Sequence, residues 1–170
     1  MSRLVLQRIV PALAVAAFLL AALAPRAQAL EVRESFGAWE IQCDTPVGTD
    51  QELCALVQYV VAFDRPDVEL RVTILKALGG DAHILRVAAP LGVFLEPGLG
   101  LKIDERELGS VNFVRCLPSG CYVELVMYDE LVTALREGET ALFIVFQTPE
   151  EGIGIPISLE GFSEGFDALE

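Results

Sequence analysis

Four cysteines, one histidine and three short runs of acids are the side chains with which this sequence could do chemistry. Cys43 and Cys54 stand ten residues apart, and Cys116 and Cys121 stand four apart across Leu117-Pro118-Ser119-Gly120. A four-thiolate zinc site wants its paired ligands about two to four residues apart, and no Cys-x-x-Cys is present to suggest thiol-disulfide exchange. A Ser-His-acid triad would need His83 beside a nucleophile and a carboxylate. His83 shares its phase with Leu85 and Val87, as a structural histidine at a strand start does. Ser35, Ser110, Ser119, Ser158 and Ser163 are read as lying outside any nucleophile elbow of the Gly-x-Ser-x-Gly kind. The acids fall in Asp104-Glu105-Arg106-Glu107, Asp129-Glu130 and Glu150-Glu151. Paired carboxylates can hydrolyse glycosides, but neighbours in a turn form a solvated rim. A calcium loop would need acids at its third and fifth positions, where Asp104 to Gly109 offers Arg106 and Leu108. Gly98-Leu99-Gly100 leads into a strand rather than a helix, so no phosphate loop is formed. No catalytic residue, cofactor or metal site is expected.

The compartment decides what the cysteines do. Arg3 and Arg8 precede an apolar run from Ile9 to Ala24, and Ala27-Gln28-Ala29 offers a small-x-small cleavage site. Residues 1–29 therefore read as a secretory signal peptide, somewhat short for a membrane span. No cysteine directly follows the apolar run, which speaks against a lipid anchor. In an oxidising compartment four cysteines read as two disulfides. Of three possible pairings, Cys43–Cys54 with Cys116–Cys121 closes short local loops. Cleavage removes Arg3, Arg8 and Arg26 and no acid, taking the formal charge from −13 to −16 for Leu30 to Glu170. Such a surface repels nucleic acid and anionic lipid heads. It keeps an apolar chain soluble and suits a basic partner or a divalent cation. After cleavage no membrane span is left, and the sequence names no oligomeric state.

The elements that must hold these residues are mostly strands. Trp39, Ile41 and Cys43 alternate with Glu40 and Gln42, and Leu53 to Ala62 resumes a strand after a polar loop, so Cys43 and Cys54 face each other across it. Val68, Leu70, Val72 and Ile74 alternate with Glu69, Arg71 and Thr73 beyond a turn at Asp64 to Asp67. His83 to Ala88 is a short strand. Pro90 to Gly100 reads as a buried crossing loop, Leu101 and Ile103 as a strand, and Asp104 to Gly109 as a charged turn. From Val111 to Tyr128 two strand-like runs flank the cysteine turn as a hairpin. Asp129 is read as the cap of a helix ending before Gly138. Ala141 to Phe146 reads as a central strand, with Leu142, Ile144 and Phe146 packing in the core beside Trp39. Ile153 to Leu159 alternates with Pro156 off phase, an edge strand, and Ser163 to Leu169 closes as a helical turn. About eight or nine strands with one short helix make an all-β fold, an antiparallel β-sandwich or a partly closed barrel. Residues 30–170 show no repeat or linker and read as a single domain.

These landmarks resemble the invasion-associated locus B family of exported bacterial proteins. They run Trp39-Glu-Ile-Gln-Cys43, Cys54, Pro90-Leu-Gly-Val-Phe-Leu, Cys116-Leu-Pro-Ser-Gly-Cys121, the Leu131 to Gly138 helix and Ile157-Ser-Leu-Glu-Gly-Phe162. The resemblance spans the mature chain and implies a small periplasmic or secreted β-rich domain. Founding members are implicated in entry into host cells, erythrocytes specifically, while many relatives live in bacteria that invade nothing. It brings no agreed catalytic residues. Relatives often carry lysine where this chain has Glu160 and are less acidic, which speaks against a cationic adhesive surface here. The expectation is a non-catalytic envelope binding protein with an unidentified protein or envelope component as partner. A hydrolase assembled from scattered acids is the alternative.

Overall fold

The computed structural model describes residues 31–63, 65–77 and 79–169, so the signal-peptide reading lies outside the described residues. Eleven strands and two helices follow in order: β1 Glu31–Phe36, β2 Trp39–Asp44, β3 Leu53–Ala62, β4 Arg65–Lys76, β5 His83–Ala89, β6 Leu99–Ile103, β7 Arg106–Val111, β8 Arg115–Leu117, β9 Gly120–Val126, α1 Asp129–Glu137, β10 Thr140–Phe146, β11 Gly152–Ser158 and α2 Phe162–Ala168. They form a seven-stranded sheet, β1-β2-β3-β4-β5-β9-β8, and a four-stranded sheet, β11-β10-β6-β7. Every pairing is antiparallel. The fold is the all-β sandwich read from the sequence, with no closed barrel.

One buried cluster joins the two sheets. The large sheet turns in Trp39, Ile41, Leu56, Leu70, Val72, Ile74, Leu85, Val87 and Val123. The small sheet answers with Leu101, Ile103, Ala141, Phe143, Val145, Ile153, Ile155 and Ile157, while α1 adds Leu131 and Leu135 and α2 adds Phe162 and Phe166. Burial of these alternate side chains is the main favourable term, at about 25 cal/mol for each Å² of apolar surface. Trp39 anchors the seam. Its indole N–H donates to the Ser158 carbonyl at 3.0 Å, Gln58 Nε2 donates to the same oxygen at 2.9 Å, and its ring meets Phe162 edge-on at 5.4 Å.

Several local expectations need correction. In β10 the core face is Ala141, Phe143 and Val145, not Leu142, Ile144 and Phe146, which are half-buried on the outside. Six consecutive apolar residues carry no period-two phase, and the neighbours set it. Ala141 faces Ile103 and Ile157, and Phe143 faces Leu101 and Ile155, whereas Ile144 lies between Gly100 and Gly154. Directly opposed residues share a face, so the isoleucine-rich partners draw their facing residues inward. The 90–100 segment is not a buried crossing, since Leu91 and Leu95 are exposed and regular strand resumes at Leu99. The charged turn is only Asp104 and Glu105, because Arg106 opens β7. Asp129 is the first residue of α1 and does not cap it, the N-cap being Tyr128. There its charge favours the helix N-terminus. β1 precedes the first strand expected from the sequence, and β4 starts at Arg65.

Candidate functional site

The four cysteines are joined as Cys43–Cys54 and Cys116–Cys121. Each bridge links directly opposed residues, between β2 and β3 in one case and β8 and β9 in the other. The Cα–Cα distances of 4.1 and 3.9 Å are those of the close, non-hydrogen-bonded kind of antiparallel pair. The two sulfur pairs sit three strands apart in the sheet order, so they do not converge on one tetrahedral site. Glu52 lies near the first pair, but it is engaged by Arg33 at 2.7 Å.

At the helical end of the sandwich, a hollow of about 500 Å³ brings His83 together with Asp81, Asp129, Thr133, Arg136 and Phe166. The His83 ring lies 4.4 Å from that of Phe166, and the Arg136 guanidinium covers the same ring at 4.9 Å. Arg136 also pairs with Asp167, and that hydrogen bond holds the Asp167 carboxyl below its ordinary value despite desolvation, with the arginine's charge adding to the effect. One letter match corrects the serine expectation: Gly161-Phe162-Ser163-Glu164-Gly165 does fit Gly-x-Ser-x-Gly. A nucleophile elbow strains the serine itself, whereas here the positive φ is at Gly161, the N-cap, and Ser163 lies inside α2. Its hydroxyl donates to the Arg136 carbonyl at 3.4 Å.

The acid runs are not brought to one place. Asp104, in a left-handed conformation at φ 49°, accepts from the amides of Glu139 and Thr140 and so ties the β6–β7 turn to the start of β10. Glu105 is exposed beside Lys102, Glu151 pairs with Arg65 at 2.7 Å, and Glu150 is exposed. At the end of the sandwich away from the helices, Arg65 binds both Gln147 and Glu151 and so joins the β3–β4 and β10–β11 turns. Phe63, between β3 and β4, is completely exposed, Leu91 is exposed beside a small hollow that Gln147 also lines, and Val61 and Leu95 are exposed as well.

A shallow cavity of about 350 Å³ opens on the outer face of the large sheet. One row of opposed residues crosses it: Tyr59, Arg71, Ala88, Tyr122. Ala88 is the small floor, Arg71 and Tyr122 are the sides, and Glu69, Pro90 and Ser119 complete the rim. Ser119 Oγ and Tyr122 Oη share a hydrogen bond at 2.8 Å, and the Tyr59 hydroxyl approaches Gln42 Oε1 at 3.4 Å. The turn carrying Ser119 packs closely on β5: a Cβ on Gly120, at φ 137°, would stand 2.5 Å from the Ala89 carbonyl oxygen. Sequence alternation marks Glu69, Arg71 and Thr73 as a polar face, but which strands flank that face is a matter of topology.

The model of the invasion associated locus B (IalB) protein family matches residues 39–170. The chain belongs to the IalB family. It is similar, at 25% identity over 140 residues, to an invasion protein B homolog of Brucella abortus strain 2308, covering 82% of this chain and 79% of that one. The homolog of Brucella abortus biovar 1 strain 9-941 matches equally. The crystal structure of invasion associated protein B from Bartonella henselae shares the fold, with a TM-score of 0.66 at 23% identity over 80% of this chain and 92% of that one. The family landmarks are structural in this IalB chain. The Ser-Leu-Glu-Gly-Phe stretch supplies the carbonyl that Trp39 and Gln58 share, and at Gly161 a Cβ would stand 2.1 Å from the Phe36 oxygen.

Proposed function

We propose that this IalB-family protein is exported, with residues 1–29 removed as a signal peptide, and acts in the periplasm or outside the cell by binding rather than by turnover. The observation carrying this reading is the loop end of the sandwich, where Val61, Phe63, Leu91 and Leu95 are exposed together with Glu96, Glu150 and Glu151. Exposed apolar side chains gathered within a polar rim mark contact surfaces, and the acids favour a partner that offers apolar and basic groups. The relatives' designation as invasion proteins suits an envelope component or host-facing protein in that role. A hydrolytic reading has one observation in its favour, the hollow gathering His83, Asp81 and Asp129.

A single complementation experiment separates the two. Where deletion of the gene gives an envelope or host-interaction phenotype, Phe63→Ser with Leu91→Ser is expected to fail to restore it although the protein folds, and His83→Ala is expected to restore it. The opposite pattern overturns the binding reading in favour of catalysis.

A further inference from the structure

We infer that the cavity on the outer face of the seven-stranded sheet is a ligand site in which Arg71 takes the carboxylate of a small, ring-bearing acid. The inference adds a second site to the binding reading and stands on different residues.

Arg71 is the first reason. Among the described residues, Arg33, Arg65, Arg86, Arg115 and Arg136 each have an acid within 4.0 Å. Arg71 has none, although acids outnumber basic residues 25 to 12. Arg106 is also unpaired but stands exposed on β7, at the sheet edge. Arg71 is half-buried in the middle of a sheet, where its guanidinium gives up part of its hydration without an ion-pair partner in return. A guanidinium in that position is a preformed fork for two carboxylate oxygens.

The surroundings select the rest of the ligand. Neighbouring strands lie about 4.8 Å apart, so Arg71 and Tyr122, two strands apart across Ala88, leave a gap of roughly 10 Å over a methyl floor. A single ring fits there, lying on Ala88 and Pro90 against the tyrosine. Of the two hydrogen-bonded hydroxyls, Ser119 and Tyr122, one keeps a free proton to donate to a ligand oxygen. Glu69, on the same face two residues before Arg71, lines the cavity as well. Glu69 opposes anion binding from beyond ion-pair distance, and it does so more strongly for a phosphate dianion than for a monoanion. The Cys116–Cys121 bridge and the close contact of Gly120 on Ala89 fix the wall before any ligand arrives, which lowers the ordering cost of binding.

The test is an amide-shift titration of the oxidised mature protein with glucuronate and phenylacetate, with glucuronamide and phenylacetamide as their neutral counterparts, and with inorganic phosphate. At least one acid is expected to shift the amides of Arg71, Ala88 and Tyr122 saturably, and its amide to leave them unmoved. Arg71→Gln should abolish the response, Arg71→Lys should weaken it about tenfold by losing the fork, and Glu69→Gln should strengthen it. Arg86→Gln, whose side chain is committed to Glu124, should change nothing. The site is overturned if neither acid saturates by tens of millimolar, the range of very weak ligands. It is equally overturned if the amides bind as well as the acids, if Arg71→Gln binds normally, or if phosphate binds more tightly than both acids. None of these results touches the Phe63 and Leu91 surface, and loss of that surface leaves this titration unchanged.

Discussion

Phe143 and Phe146 are three residues apart in β10 and should answer very differently to truncation. Phe143 is buried between Leu101 and Ile155, so Phe143→Ala is expected to cost about 3–5 kcal/mol in denaturant unfolding. Phe146 is half-buried on the outer face, and Phe146→Ala should cost roughly 1 kcal/mol. Equal costs would mean that the strand's phase is wrong. The sequence supported the opposite assignment because every residue from Ala141 to Phe146 is apolar, and phase then comes only from strand neighbours. Arg71 was hidden for a related reason. Its alternation was plain, but its distance from Tyr122 depends on β5 and β9 being adjacent. Asp167 gives a pH test. Its pKa is lowered from 3.8, so its contribution is complete at neutral pH and is lost as the pH falls through the lowered value. Asp167→Asn should remove that acid-side component from the stability profile, and an unchanged profile would show that the Arg136 contact is not kept in solution.

Among the elements, the hairpins with strong alternation or cysteine landmarks were legible, and the short ones were not. β2 to β5, β9, β11 and α1 stand close to where apolar periodicity puts them, and α2 lies one residue from the helical turn expected at Ser163 to Leu169, whereas β1 and β7 are charged strands whose identity comes from pairing. The Cys116–Cys121 bridge closes a short loop within β8 and β9. Replacing both cysteines by alanine should cost about 2 kcal/mol, below the figure for longer loops, and should loosen the wall that carries Ser119 and Tyr122. Carboxylate binding should weaken more than stability alone would require, which comparison with a Cys43→Ala, Cys54→Ala double variant can check. The Gly161 turn is a harder constraint. Gly161→Ala faces both a positive φ and a backbone collision with Phe36, so a loss of about 3 kcal/mol or more is expected in the same unfolding assay.

For the molecule as a whole, a formal charge of −13 on the full chain means that partner association at the loop end should weaken with salt, over a screening length of ~8 Å at physiological ionic strength. Glu150→Lys with Glu151→Lys should flatten the salt dependence of the measured affinity, and a flat dependence in the unaltered protein would remove the electrostatic part of the reading. Composition made this charge legible, but where apolar side chains break through it was set by which turns share an end. The disulfides have a further consequence in time. Each joins cysteines that are consecutive along the chain. A polypeptide appearing from its N-terminus can therefore close the first bridge more than sixty residues before the third cysteine emerges. If oxidation keeps pace with export, wrong partners are absent when each bond forms, and an oxidant without an isomerase is expected to be enough for maturation.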